Sequence, residues 1–217
     1  MIKEGSDKMA SAIIHIAVAN ELNKKLKRNS SKLLIGTIAP DISKEIGQNK
    51  VKSHFLDSKD TDIPNIKKFL NKYKNNLNDD FVLGYYIHLY TDYLWFKYFV
   101  TEFIHDNMIT KLDGTPVKIT DNMATLYIYN DYTDMNVKVI DAFNLDLKIF
   151  YNEIPILKDI IKEIPMKNID IIVNKIGKII EASKDKKNLV FNIDNIKQFV
   201  STSIELIEAD LKDLNIL

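Results

Sequence analysis

The stretch NDDFVLGYYIHLYTDYLWFKYFVTEFI, residues 78–104, decides the fold. Asn78 or Asp79 can cap it, no proline interrupts it, and apolar residues run nearly all the way round. That pattern predicts a central helix buried on every side. Charge is normally excluded from such a helix, because an ionised group taken out of water without a partner is costly. His88 and Asp92 nevertheless stand inside it, four residues apart and therefore on one face. Gly84 lies one turn earlier on that face and leaves room for another chain segment or a ligand to come close. Two readings account for the pair. The carboxylate can orient the ring as a hydrogen-bonded core pair, or both groups can face a divalent cation.

Working outward, Ser11 can cap a helix running to about Arg28, with His15, Val18, Ala19, Leu22 and Leu26 on its inner face. Helical periodicity then breaks at Gly36, Pro40 and Gly47, and Ala39 before Pro40 is expected to be extended, with Asp41 on a loop or at a helix start. A short surface helix is expected over 64–76, and further helices over 122–143, 165–183 and 192–215. The last has an inner stripe of Ile196, Phe199, Val200, Ser203, Ile207, Asp210 and Leu211, apolar except at two positions. DGTPVKITD, residues 113–121, reads as a turn or a lid. The expectation is an all-α, single-domain helical bundle over 9–217, preceded by a flexible polar segment, 1–8, with Met9 a second candidate start.

Composition narrows the function. The 217 residues carry 30 Lys+Arg and 30 Asp+Glu, so no global field is available to hold a nucleic acid. Cysteine is absent, which excludes disulfides and thiolate-bound zinc. The opening MIKEGSDKMASAIIH has no apolar core of signal-peptide length, and no run is long enough to span a membrane, so a cytoplasmic protein is expected.

The chain has four histidines, at 15, 54, 88 and 105. His15 falls on an apolar helix face, where a lone histidine is commonly a satisfied core residue, and Asp41 after Pro40 is a common helix-start residue. Together with His54, His88 and Asp92 they ask for a shared explanation.

In their order, SAIIHIAVANELN, GTIAPDI, KSHF and LGYYIHLYTDYLWF resemble the zinc-dependent phospholipase C family of all-α metallohydrolases, related to the single-strand-specific zinc nucleases. IYNDYTDMN, residues 128–136, is similar to a recurring element of its small bacterial branch. The resemblance implies that Asp41, His54, His88 and Asp92 bind one metal, that Asp92 bridges to a second, and that His15 serves the second. It also implies Zn²⁺ as the ion, with Mn²⁺ or Fe²⁺ as alternatives, and Asp41 as the group taking a proton from attacking water. The family's third zinc needs later histidines. Tyr98 stands where the first would be, and His105 is the only histidine after Asp92, so one or two ions are expected rather than three. Glu102, Asp131 and Asp134 are candidate replacements, Asp131 preferred, although a solvated helix face explains the aspartates equally. Tyr85, Tyr127, Tyr129 and Tyr132 can shape a pocket mouth or simply line the core.

The implied substrate is a small phosphoester or a phospholipid. Two alternatives stand beside this hydrolase: a metal-binding module without turnover, and an HD-type phosphohydrolase using His105, Asp106 and Asp134.

Overall fold

The structure is a computed structural model that describes residues 11–217. The segment expected to be flexible, 1–8, and Met9 lie outside the described residues, as do the side chains of 121–126 and of Tyr129.

Helix α1 (Ala12–Leu26) starts where expected, with Ser11 Oγ accepting from the Ile13 amide at 3.2 Å. Lys27 turns the chain in a left-handed conformation, φ 55°, and Asn29 caps α2 (Ser30–Ile38). Two expectations are corrected here. Gly36 does not break α2, and Ala39 is not extended but helical, φ −60° and ψ −36°. The chain runs through a 3₁₀ turn (Ala39–Asp41) into α3 (Ile42–Glu45). Pro40 is tolerated because the first turn of a helix has no use for its missing N–H.

The reason Gly36 stays inside a helix is a close approach. A Cβ there would lie 2.1 Å from the Phe81 carbonyl oxygen, and a Cβ on Gly84 would lie 2.0 Å from that of Leu33. The helices α2 and α5 (Asp80–Leu94) therefore touch backbone to backbone. The room left by Gly84 is filled by a chain segment, not a ligand.

Between them, α4 (Ile66–Tyr73) and a 3₁₀ turn (Lys74–Asn76) form the expected surface helix, burying Phe69 and Tyr73. The central helix α5 is capped by Asp79, whose Oδ1 accepts from Phe81 and Val82. It does not run on unchanged to residue 104. After Leu94 it widens into a π turn (Trp95–Phe99) and tightens into a 3₁₀ turn (Val100–Glu102), with Trp95 and Phe99 stacked at 4.4 Å.

A small antiparallel sheet follows, β1 (Ile104–His105), β2 (Met108–Thr110) and β3 (Pro116–Lys118), in that order. The all-α expectation holds for the body of the molecule but missed this sheet, and DGTPVKITD is a hairpin arm rather than a lid. Asp106 and Asn107, at φ 49° and 59°, make the two-residue β1–β2 turn that a twisted hairpin favours.

Helices α6 (Asp121–Asp134) and α7 (Asn136–Phe143) replace one expected helix, divided at Met135. Then come α8 (Ile169–Ala182) and α9 (Ile193–Asp213), the latter closed by a capping box on Asn192. Its inner stripe is buried as expected, except that Asp210 is half-buried and accepts from the Tyr86 hydroxyl. One continuous apolar core runs from Ile13 to Leu211, with α1 packed among α2, α5, α7 and α9. No described helix is long and apolar enough to cross a membrane.

Two glycine-to-alanine changes should behave oppositely under urea denaturation. Gly84→Ala should lose at least about 2 kcal/mol by forcing α2 off α5. Gly177→Ala in α8, where a Cβ meets only the Tyr151 ring at 3.6 Å, should gain about 0.5–1 kcal/mol from helix propensity.

Candidate metal centre

Four separate segments deliver five side chains to one point. His15 comes from α1, Asp41 from the 3₁₀ turn against α3, His54 from the turn before α4, and His88 and Asp92 from α5. All five are buried, and only Asp41, at 8 %, retains noticeable exposure. Asp41 makes no helix-capping bond, so its place at a helix start does not explain its carboxylate.

The histidine protons can be assigned from their neighbours. His88 Nδ1 lies 2.7 Å from the Thr37 carbonyl, which can only accept, so Nδ1 carries the proton. Ser53 Oγ donates to the Lys50 carbonyl at 3.3 Å and therefore accepts from His54 Nδ1 at 2.9 Å. In their neutral forms both rings then offer Nε2 lone pairs, and these two atoms face each other at 3.2 Å. Lone pairs held that way repel unless a proton or a cation stands between them.

The separations suit a cation. His88 Nε2 is 3.4 Å from Asp92 Oδ2, His15 Nε2 is 3.2 Å from Asp92 Oδ1, and His54 Nε2 is 3.4 Å from Asp41 Oδ1. Tetrahedral zinc with N and O ligands at its usual bond lengths sets neighbouring ligand atoms roughly 3.3–3.6 Å apart. Among the described residues either of two triads could hold an ion, His15–His88–Asp92 or Asp41–His54–His88; His88 is common to both, and its one free lone pair can serve only one of them at a time. Asp92 divides its oxygens, Oδ1 towards His15 and Oδ2 towards His88 and His54, the latter at 3.7 Å.

Electrostatics point the same way. Burial pushes the His15 imidazole down, and neighbouring His88 adds to this, against a weaker pull from Asp92. Burial would push the Asp92 carboxyl up, but His15 and His88 outweigh it and hold the group well below the usual carboxylate range. Asp41 is held down in the same way, against burial, by His54 and His88. His88 is raised: burial opposes its charge, and Asp41, Asp92 and the Thr37 carbonyl overcome it.

Among the described residues, His15 Nδ1 and Nε2, Asp41 Oδ1, and both Asp92 oxygens are buried with no properly aligned hydrogen bond. A buried polar atom left without an aligned partner costs about 1–3 kcal/mol. A cation among the carboxylate oxygens and His15 Nε2 would offset that cost for the atoms it reaches. The residues present therefore fit zinc.

Supporting groups that sequence reasoning missed are the Thr37 carbonyl and Ser53. A backbone acceptor leaves no mark in a sequence, although the Gly36 and Gly84 pair marks the close approach that puts it there. Tyr85, expected at a pocket mouth, is instead fully buried and donates to the Ser53 carbonyl at 2.5 Å, pinning the His54 turn from behind. Phe55, next to His54, is held at φ 54°, an uncommon conformation for an aromatic residue, by contacts with Phe69, Tyr73 and Tyr85.

Other candidates are placed elsewhere. Asp131 is buried, and its carboxylate accepts from the amides of Leu189, Val190 and Phe191, so it ties α6 to the segment before α9 and joins neither triad. Asp134 pairs with Lys186 at 2.8 Å. Tyr132 packs edge-on against Trp95, and Tyr127 lies under Lys111. Tyr98 is half exposed and Glu102 is exposed, in the π and 3₁₀ turns that follow the central helix, and neither joins a triad. His105 is exposed with Nε2 on the Glu102 carbonyl at 3.0 Å, and Asp106 belongs to the hairpin turn, so they build no buried pair.

Residues 10–113, just under half of the chain, match the model of the zinc dependent phospholipase C family. No curated protein and no solved structure matches the chain. The separation of Asp131 from the centre is testable: Asp131→Ala should cost about 3 kcal/mol of stability by orphaning three amides, while zinc uptake measured by elemental analysis stays at the wild-type level.

Proposed function

We propose that this protein is a metal-dependent phosphoester hydrolase that holds one or two Zn²⁺ ions between His15, Asp41, His54, His88 and Asp92. The observation that carries the reading is the facing pair of His54 and His88 Nε2 atoms at 3.2 Å, ringed by the unpaired oxygens of Asp41 and Asp92. Zinc, when bound, supplies Lewis acidity towards the phosphoryl oxygens and towards the attacking water. The chain's own residues do the rest. Thr37 and Ser53 fix the imidazole tautomers, so each ring presents a lone pair without reorientation. Asp92 would serve as a ligand from either oxygen, Oδ1 facing His15 and Oδ2 facing His88 and His54. Asp41 is the ligand at the solvent edge, its side chain 11 % exposed. A carboxylate there that gives one oxygen to the ion keeps the other to take the proton of the attacking water. The substrate class is a small phosphodiester, with phospholipid as the member favoured by the family match.

One observation favours a second reading, a metal-binding module without turnover: the described residues bury His15, His88 and Asp92 completely. Turnover separates the two.

Purified protein should contain one or two equivalents of zinc, lost in Asp92→Ala and retained in His105→Ala. The zinc-loaded wild type should hydrolyse bis(4-nitrophenyl) phosphate or phosphatidylcholine vesicles, and chelation should abolish this. At saturating zinc, Asp41→Asn should slow the reaction by about 10²–10⁴-fold, the usual worth of a positioned base. Bound zinc with no turnover on either substrate would establish the module.

A further inference from the structure

A cleft of about 490 Å³ lies between the end of α5, the turns after it, and α9. Its walls include Tyr90, Tyr93, Tyr98 and Phe199, with Glu102 and Ser203 among the polar groups. Since a helix advances roughly 100° per residue, Tyr90 and Tyr93 stand on the side of α5 opposite His88 and Asp92. This is a different site from the metal centre, and its volume falls in the range of small-molecule sites.

Three observations define what it takes. Ser203 interrupts the apolar stripe of α9, is 1 % exposed, and its Oγ has no hydrogen-bond partner among the described residues. An alanine there would avoid the cost of an orphaned hydroxyl. Next, Lys97, which is not part of the lining, donates to the Tyr93 hydroxyl at 2.5 Å, with its ammonium 4.8 Å from the Tyr93 ring centre and 5.2 Å from that of Tyr98. A cation is therefore already accommodated beside these two tyrosines. Finally, among the described lining residues Glu102 is the only charged one. Asp210 adds a second carboxylate nearby, held by Tyr86, whose ring lies 5.7 Å from that of Tyr90.

We propose that this cleft binds a small organic ammonium that carries at least one N–H. Its apolar body lies against Tyr90, Tyr93 and Phe199, its N–H is donated to Ser203 Oγ after rotation of that hydroxyl, and Glu102 supplies the opposite charge at the rim. The N–H requirement sets the class. A quaternary ammonium has none to give and leaves Ser203 unpaired, whereas a neutral alcohol satisfies Ser203 but makes no use of Glu102.

The test is a calorimetric titration of the full chain with 2-phenylethylammonium, its N,N,N-trimethyl analogue and 2-phenylethanol. The primary ammonium should bind saturably and at least about tenfold more tightly than either analogue, the difference expected of one hydrogen bond to a charged donor. Ser203→Ala should weaken it at least about tenfold while melting at the same temperature or higher, and Glu102→Gln should weaken it severalfold. Ser203→Ala that melts higher and binds the ammonium undiminished would make Ser203 a tolerated core hydroxyl and overturn the proposal. So would the absence of saturable binding, or equal binding of 2-phenylethanol.

Discussion

The backbone of α5 lies directly against the backbone of α2 because neither helix has a side chain at Gly84 or Gly36. Every other element of the centre is referred to that contact. It brings the Thr37 carbonyl to His88 Nδ1, and it carries the following 3₁₀ turn, with Asp41, alongside the helix that holds Asp92. Any side chain thicker than a hydrogen would push the two helices apart by about an ångström. The candidate centre depends on this contact as much as on the side chains that form it.

Against that rigid pair, the remaining candidate ligands are set by local devices. His54 is fixed by a tight turn whose Ser53 is bonded on both faces, to the ring on one and to Tyr85 on the other. His15 has no such support. Its Nδ1 has no partner among the described residues, its Nε2 faces Asp92 Oδ1 at 3.2 Å, and its ring stacks on His88 at 4.0 Å. The two triads are thus unequal in preparation: one has oriented imidazoles, and the other relies on a ring held chiefly by packing.

Much of this was legible in the sequence. Asp79 and the unbroken apolar run announced the central helix, and the placement of His88 and Asp92 on one face of it announced a shared partner. His15, Asp41 and His54 came through resemblance, and all five converge. Helical periodicity also gave the buried stripe of α9, including the odd polar position at Ser203. What stayed hidden depends on contacts between distant segments or on backbone atoms. Gly36 reads as a breaker because its close neighbour, Phe81, is far away in sequence. The change of pitch after Leu94 and the short strands after Phe103 are too small to show a period. Asp131 reads as a ligand or a surface charge, since the amides it accepts from lie 58–60 residues away.

Those amides give the last third of the chain a role beyond added bulk. Asp131 gathers residues 189–191, Asn188 returns a bond to the Asp131 carbonyl, and the Leu112 amide joins at the Leu189 carbonyl. From this knot α9 sets out to lie on α1, while Asn136 of α7 accepts from Ser11 at the start of the same helix at 2.6 Å. The helix bearing His15 is therefore roofed by a part of the chain that the family match leaves out. The matched half is not a detachable metal-binding unit: cut free at residue 113, it would expose to water the flank of α1 that α7 and α9 cover.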